Sequence, residues 1–205
     1  KRYRQRRVGA KGEIEALGFQ RSSTFVDDHA YRMGRNRARR SRDQRAIARK
    51  STFGRRLLSE AWAGHELEMM RRLWHAGADV PYPVAATDDG MLMEYVGDAT
   101  GAAPTLAAAR LDARDLRRAL DQIVENLAVM LDQGIVHADL SAYNVLWWED
   151  QVRVIDMPQA VEVGPHPDAL SLLHRDVVNV CAFFARRHVD CDADEIFADL
   201  VGRPL

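Results

Sequence analysis

The sequence predicts a globular α+β protein, and three observations carry that prediction. Apolar residues recur at three- and four-residue spacing along two long segments, which is typical of helices with one buried face. Two short apolar runs flank a tight polar turn, which is typical of a β-hairpin. The chain of 205 residues is 47% hydrophobic and 29% charged, so it can bury a sizeable core.

The predicted elements follow one another along the chain from residue 55. An apolar stripe predicts a helix over residues 55–76, which Gly77 ends. The clearest stripe predicts a second long helix over residues 113–133, which Gly134 ends. The other predicted elements are a strand over residues 91–96, paired strands over 144–148 and 152–156, and helices over 168–188 and 192–201.

Charge is distributed unevenly along the chain. The formal net charge is -1, yet residues 1–72 hold 20 Lys and Arg against 8 Asp and Glu, whereas residues 73–205 hold 9 against 22. Residues 1–50 are Arg-rich and punctuated by Gly, which indicates a loop-rich segment. Such a segment is either a solvated face that balances the acidic half or a surface for RNA or a ribosomal partner.

Two further features of the composition bear on location. No apolar run approaches the ~18 residues that a membrane helix needs, so we expect no membrane span. The only two cysteines, Cys181 and Cys191, lack the spacing of metal ligands. We expect both to be reduced thiols, as in a cytoplasmic protein.

The segment from His137 to Asn144, with Asp156 downstream, carries the strongest chemical signal. Phosphoryl transfer needs cations on the phosphates and a carboxylate near the attacking oxygen. Asp139, then Asn144, then Asp156 at a strand end supply these groups, because Mg²⁺ prefers hard oxygen ligands. If the hairpin turn centres on Asp150, Asn144 faces Asp156 across the two strands. The alternative is an ordinary Asx-rich loop, but the helix before it and the hairpin after it favour the catalytic interpretation.

Glu66 is a second candidate functional residue. It falls on the apolar stripe of the first predicted helix, whereas Glu68 falls on the opposite face. An ionised carboxylate on a buried face needs a partner. In kinase-like sites a helix Glu pairs with a Lys that holds the phosphates, and a half-exposed Glu at the stripe's edge is the alternative.

Two other polar residues are assigned positioning roles. We expect His137 to orient its loop rather than to act as an acid or base. Asp176, in the helix over residues 168–188, either holds the backbone of the 137–144 segment or pairs with a neighbouring side chain.

Three segments, in this order, resemble the RIO family of atypical protein kinases. His137–Asn144 is similar to the family's H-[GA]-D-L-S-x-Y-N loop, Ile155–Val161 to its I-D-x-[PS]-Q-x-V loop, and His166–Phe184 to the helix that follows. The resemblance covers nearly the whole chain. It implies a kinase-like bilobal fold of the α+β class, with a partial N-lobe over residues 1–96 and a reduced helical C-lobe over residues 97–205.

The resemblance also implies roles for individual residues. ATP would be the phosphate donor with Mg²⁺, and the acceptor would be Ser or Thr of a protein substrate or of the protein itself, or water if the chain acts mainly as an ATPase. Asp139 would be the base, and Asn144 and Asp156 the metal ligands. The residues expected at the nucleotide are the strand lysine Lys1, its ion-pair partner Glu66, and the hinge residues Met93, Glu94, Tyr95 and Val96.

The chain departs from the family pattern at its start. It has no Gly-rich phosphate loop between strands, so we expect that loop to precede Lys1 and the sequence to be truncated there. The segment from Tyr31 to Arg55 resembles a bacterial branch of the family. Two alternatives stay open: a small-molecule phosphotransferase of the aminoglycoside or choline kinase type, which usually has Asp-x-Glu at Asp156–Pro158, and an inactive scaffold that binds RNA or the ribosome.

Overall fold

The computed structural model describes residues 52–87 and 90–203, and its side chains from Ala63 onward except Thr87. Lys1 and the basic segment 1–50 lie outside the described residues. The described elements are α1 (Thr52–His75), β1 (Pro83–Thr87), β2 (Gly90–Met93), β3 (Gly97–Asp98), β4 (Gly101–Ala102), α2 (Ala113–Asp132), β5 (Ile135–Val136), β6 (Val145–Trp148), β7 (Gln151–Val154), β8 (Val161–Glu162), α3 (Ala169–Ala185) and α4 (Ala193–Val201). The predicted α+β class is confirmed.

Local pattern predicted the helices better than the strands. The four helices in the described part of the chain lie within about three residues of the predicted bounds. The predicted strand over residues 91–96 is shorter, since β2 ends at Met93, and β1 was not predicted at all. The strands form four two-stranded sheets, β1–β2, β3–β4, β5–β8 and β6–β7.

Helix α2 forms the centre of the core. The Asp112 carboxylate accepts a hydrogen bond from the Asp115 backbone nitrogen at 2.8 Å and so caps the first turn. Gly134, with φ +65°, follows the last turn of the helix and leads the chain into β5. One face of the helix is buried against β5 and β7 through Leu116, Ala119, Leu120, Ile123, Leu127, Met130 and Leu131.

The turn of the β6–β7 hairpin corrects the predicted register. Its two central residues, Glu149 and Asp150, have φ of +50° and +60°, the conformation of a two-residue type I′ turn. Val145 therefore pairs with Val154, and the Ile155 backbone nitrogen donates to the Asn144 oxygen at 2.9 Å. The prediction that Asn144 faces Asp156 is wrong by one residue, because the turn lies between positions 149 and 150 rather than on 150.

The turn after α1 is bonded to both α2 and β7. The Asp79 backbone nitrogen donates to Oδ1 of buried Asn126 at 2.6 Å. Arg153 donates to the Asp79 carboxylate at 3.2 Å, and the Val154 backbone nitrogen donates to the Asp79 carbonyl oxygen at 2.8 Å. These bonds attach the C-terminal end of α1 to the hairpin strand that leads to Asp156.

Helices α3 and α4 are joined covalently. Cys181 of α3 and Cys191, just before α4, form a disulfide with their Cα atoms 5.2 Å apart. His174 and Asp194 form a second link at 2.8 Å. The prediction of two reduced thiols is wrong, because the chain reverses after α3 and returns residue 191 to the side of residue 181, which sequence spacing does not show.

Backbone contacts divide the chain into two units. Residues 1–61 and 88–90 form one, and residues 62–87 and 91–205 form the other. Every described side chain discussed below belongs to the second unit. The lobe boundary expected between residues 96 and 97 stays a prediction.

Candidate active site

The Asp139 loop, residues 137–144, is held from α3 by Asp176. The Asp176 side chain is 0% exposed. Its carboxylate accepts hydrogen bonds from the backbone nitrogens of Ala138 at 2.7 Å and Leu140 at 2.9 Å. These two amides belong to the 137–138 and 139–140 peptide groups, so one buried carboxylate fixes the backbone just before Ala138 and just after Asp139. The prediction that Asp176 holds this backbone is confirmed.

Arg175, the residue before Asp176, holds the same loop through a backbone carbonyl group. Its Nη2 donates to the backbone oxygen of Ala138 at 2.5 Å. Ala138 has φ +63°, a left-handed conformation that costs a residue with a Cβ roughly 1–2 kcal/mol. The backbone N–H and the backbone C=O of this strained residue are therefore both bonded to side chains of α3.

The ionisation of Asp176 reflects its burial. Removal from water raises the pKa of this carboxyl to about 7. The two amide hydrogen bonds and the Arg175 guanidinium oppose that rise in the pKa, and the neighbouring Asp139 adds to it. The group is therefore poised between its two protonation states near neutral pH.

His137 connects the Asp139 loop to the end of the hairpin. It is 0% exposed, and its Nε2 lies 3.1 Å from the Ile155 backbone oxygen. Ile155 immediately precedes Asp156, so this contact places the starts of the two functional segments side by side. A buried ring bonded to backbone fits the predicted orienting role.

Asn144 is fixed at the end of the Asp139 loop. Its Nδ2 donates to the Asp139 backbone oxygen at 2.7 Å, and its backbone nitrogen donates to the Ser141 backbone oxygen at 2.9 Å. Because the amide nitrogen is used within the loop, the side-chain oxygen Oδ1 is the group that can bind a cation.

Asp139 and Asp156 are close enough to affect each other electrostatically. Asp139 is exposed, yet the surrounding protein partly desolvates its carboxylate and raises its pKa; Arg175 opposes this rise in the pKa, and the negative charge of Asp156 adds to it. Asp156 follows β7 with φ +70°. The fold therefore brings together the three residues predicted to form the catalytic centre: Asp139, Asn144 and Asp156.

Glu66 of α1 holds the Asp156 loop, residues 155–160. Its side chain is 0% exposed, and Oε1 accepts a hydrogen bond from the Met157 backbone nitrogen at 3.0 Å. The predicted burial of Glu66 is confirmed, whereas Glu68 on the opposite face is exposed. The expected ion pair with Lys1 lies outside the described residues. The contact with Met157 was not predicted, because periodicity identifies a buried face but not its partner.

The predicted hinge follows β2. The Glu94 backbone nitrogen donates to the Tyr82 oxygen at 2.8 Å, and the Ala103 nitrogen donates to the Val96 oxygen at 2.9 Å. Met93 is partly buried, whereas Tyr95 is 61% exposed. At Gly97 a Cβ would lie 2.5 Å from the Gly101 oxygen, so the turn after the hinge requires glycine.

The donors around Asp139 suit a hard cation. In the part of the chain that the structure describes, no group of three or more His, Cys, Asp or Glu side chains could hold a metal on its own. Asn144 offers an amide oxygen as a metal ligand, and Asp156 offers a carboxylate. Mg²⁺ is commonly bound by one or two protein oxygens together with substrate phosphates and water, so these residues fit a Mg²⁺–nucleotide complex.

Sequence reasoning missed Arg175 as a loop-binding residue. The available signal was a charged pair, Arg175–Asp176, in the middle of a helix that is otherwise rich in apolar residues. It also missed the Asp79–Asn126 contact, for which an Asn within the apolar stripe of α2 was the signal.

Over the ranges 52–87 and 90–203, none of the helices has the length and apolar character needed to cross a membrane.

Comparison with known proteins gives one family. The family model described as the RIO domain matches residues 25–196. A probable serine/threonine-protein kinase RIO1 homolog of Encephalitozoon cuniculi is 33% identical over 173 residues, which cover 83% of this chain and 44% of the relative.

Two archaeal relatives give the same result. The RIO-type serine/threonine-protein kinase Rio1 of Haloferax volcanii is 34% identical over 142 residues, 69% of this chain and 48% of the relative. The protein of that name from Thermoplasma acidophilum is 35% identical over 135 residues, 66% of this chain and 69% of the relative. The chain thus spans about half the length of the first two relatives. That the chain belongs to a bacterial branch of the family stays a prediction.

Proposed function

The chain belongs to the RIO domain family, and from that premise we propose that it is an ATP-dependent phosphotransferase of the RIO serine/threonine-protein kinase type. The observation that carries the proposal is the convergence of Asp139, Asn144 and Asp156 on two loops whose backbones are bonded to buried carboxylates. The named relatives are serine/threonine-protein kinases, which favours a protein acceptor over the small molecules of aminoglycoside or choline kinases.

Asp139 is proposed as the base that receives the proton of the attacking hydroxyl. Its carboxylate is partly withdrawn from water, and the resulting rise in its pKa makes it a better proton acceptor than a free Asp. Its backbone oxygen is bonded to Asn144, and its neighbouring amides are bonded to Asp176. These bonds fix the backbone from which the Asp139 side chain projects, which a positioned base requires.

Asn144 and Asp156 are proposed to hold Mg²⁺ through oxygen. When bound, the cation supplies charge neutralisation on the nucleotide phosphates and offsets the repulsion between Asp139 and Asp156. Glu66 keeps the Asp156 loop in place through the Met157 amide. On the nucleotide side, Lys1 is proposed as the lysine that contacts phosphate.

The adenine is proposed to contact the backbone of the hinge, Met93 to Val96. The bonds of the Glu94 nitrogen to the Tyr82 oxygen and of the Ala103 nitrogen to the Val96 oxygen hold this short segment. A backbone with fixed peptide groups suits the edge of adenine, which offers one hydrogen-bond donor and one acceptor to it.

The acceptor is proposed to be a Ser or Thr hydroxyl of a protein partner or of this protein itself, with water as acceptor if the chain acts mainly as an ATPase. The cytoplasm is the proposed location, because ATP is the donor, although the Cys181–Cys191 pair is more typical of oxidising compartments. The basic segment 1–50 is proposed to contact RNA or a ribosomal surface, which predicts binding that weakens steeply with salt.

The test is ATP turnover and phosphate incorporation by the whole chain with and without Mg²⁺. We expect Asp156→Ala to abolish Mg²⁺-dependent transfer. We expect Asp139→Ala to lower kcat by about 10²–10⁴-fold while nucleotide affinity stays within about twofold, because a base acts in the transition state.

Asp121→Ala, at an exposed position of α2, is the matched control and should retain turnover. Full activity in Asp156→Ala would refute the assignment of the metal ligands. Equal losses of nucleotide affinity and kcat in Asp139→Ala would make that residue structural rather than a base.

A further inference from the structure

Three hydrogen bonds from two adjacent residues of α3 hold the peptide groups around Asp139. Asp176 accepts from the nitrogens of Ala138 and Leu140, and Arg175 donates to the Ala138 oxygen. Within residues 52–87 and 90–203, no other donor to that oxygen is found. Ala138 itself is buried and left-handed, so its carbonyl cannot turn to water without rearranging the loop.

The geometry gives the two residues different tasks. Each amide needs its own acceptor oxygen, and an ionised carboxylate supplies two of them. A protonated carboxyl keeps one good acceptor and turns the other oxygen into a donor, which cannot serve an amide. The loop is therefore held by both amides only while Asp176 is ionised.

The charged groups that face Asp176 have opposite effects on that ionisation. Arg175, on the same helix, favours the charged carboxylate, and Asp139, in the loop packed on it, disfavours it. Asp176 is fully buried, and the Arg175 charge adds to the two amide hydrogen bonds in favouring the ionised carboxylate, with a smaller effect than either bond. Loss of Arg175 would remove the favourable charge and the carbonyl donor together.

We infer that Arg175 is a positioning residue for phosphoryl transfer: it fixes the Ala138 carbonyl and keeps Asp176 able to accept both loop amides, so that Asp139 stays aligned with the acceptor hydroxyl. The inference rests on the proposed function for its catalytic consequence. Its structural part, the holding of the loop, can be measured without turnover.

The experiment compares Arg175→Gln, Arg175→Lys and the control Arg186→Gln, an exposed arginine just after the same helix, in the whole chain. We expect Arg175→Gln to lower kcat by roughly 10- to 100-fold, because small misplacements of a catalytic group have effects of this size, while the KM for ATP changes by less than about twofold. Arg175→Lys keeps the charge and should recover a large part of kcat. Arg186→Gln should behave like the unaltered chain.

Two further readouts separate positioning from general damage. The pH at which kcat falls to half on the acidic side should move upward in Arg175→Gln and stay near its original value in Arg175→Lys, since only the lysine preserves a charge beside Asp176. Amide hydrogen exchange in a peptide that covers residues 137–144 should become faster in Arg175→Gln, with nucleotide absent.

The outcomes are distinguishable. Unchanged exchange of the 137–144 peptide in a folded Arg175→Gln chain overturns the inference, whatever the activity. Unchanged kcat in that variant, with Asp139→Ala inactive, also overturns it and leaves the proposed function intact. Faster exchange in a chain that shows no ATP turnover at all supports the holding role and refutes the proposed function instead.

Discussion

The Asp139 loop and the Asp156 loop are held by the same device from different parts of the chain. The first is bonded through two backbone amides to Asp176, which follows it in sequence, and the second through one amide to Glu66, which precedes it. Both carboxylates are 0% exposed. The residue proposed as base is thus positioned by α3, whereas the residue proposed as metal ligand is positioned by α1.

The comparison of the two loops explains why a small site contains two buried carboxylates that take no direct part in the proposed phosphoryl transfer. Irregular loops leave backbone amides without strand or helix partners, and a buried acceptor has to satisfy them. An ionised carboxylate does so with strong hydrogen bonds, although its own burial is unfavourable. Two separate acceptors hold the two loops from different helices, and the contact of His137 with the Ile155 oxygen links one loop to the other.

The largest expected effect concerns the ionisation of Asp176. Its pKa is about 7 in the folded chain against an ordinary value of 3.8. The folded state therefore holds this proton more tightly than the unfolded chain, so the contribution to stability is fully present below about pH 4 and is lost as the pH rises towards 7 and above. A difference of about three pKa units corresponds to at most roughly 4 kcal/mol in the free energy of unfolding.

Urea denaturation between pH 4 and pH 8 measures this effect. In Asp176→Asn the decline in stability should be smaller by that amount, because the side chain no longer titrates. Asp199→Asn, at an exposed position of α4, should keep the original pH dependence. An identical pH dependence in Asp176→Asn would show that Asp176 is not the group whose titration changes the stability.

An intermediate effect is expected from the disulfide behind α3. Replacing Cys181 and Cys191 together by Ser should lower the free energy of unfolding by about 2–3 kcal/mol, since the bond closes a loop across a separation of 10 residues. Hydrogen exchange in the Asp139 loop should stay unchanged, because its contacts to α3 come before Cys181. Urea denaturation with and without reductant measures the loss, and an unaltered chain that is insensitive to reductant would contradict the prediction.

The smallest effect is expected from the Asp156 side. Glu66→Ala removes the acceptor of the Met157 amide and should weaken Mg²⁺–ATP binding about tenfold, or roughly 1.4 kcal/mol. Exchange of the 137–144 peptide should not change. Glu68→Ala, on the exposed face of the same helix, is the control and should bind nucleotide normally.

Nucleotide titration in the presence of Mg²⁺ measures this effect. Equal weakening by Glu66→Ala and Glu68→Ala would point to a general effect on α1 and away from a specific hold on the Asp156 loop. Faster exchange in the Asp139 loop of Glu66→Ala would show that the loss of this acceptor also reaches the Asp139 loop, through the contact of His137 with Ile155.

The hairpin shows where prediction from sequence reached its limit. Alternating apolar residues predicted β6 and β7, but the register depends on which two residues take positive φ at the turn. Glu149 and Asp150 both do so, although neither is the Asn or Gly that usually signals this turn. One residue of register separates the predicted pair Asn144–Asp156 from the observed pair Asn144–Ile155.

The helices, the burial of Glu66 and the oxygen-bearing residues at the site could be predicted from residue order, because periodicity and residue chemistry are local properties. Which groups meet depends on how the chain packs. Asp176 reaches an amide 38 positions away and Glu66 one 91 positions away, and the pairing of Cys181 with Cys191 depends on how the chain reverses after α3. Partners at such separations are chosen by the packing of whole helices around a shared core, and no local pattern encodes that choice.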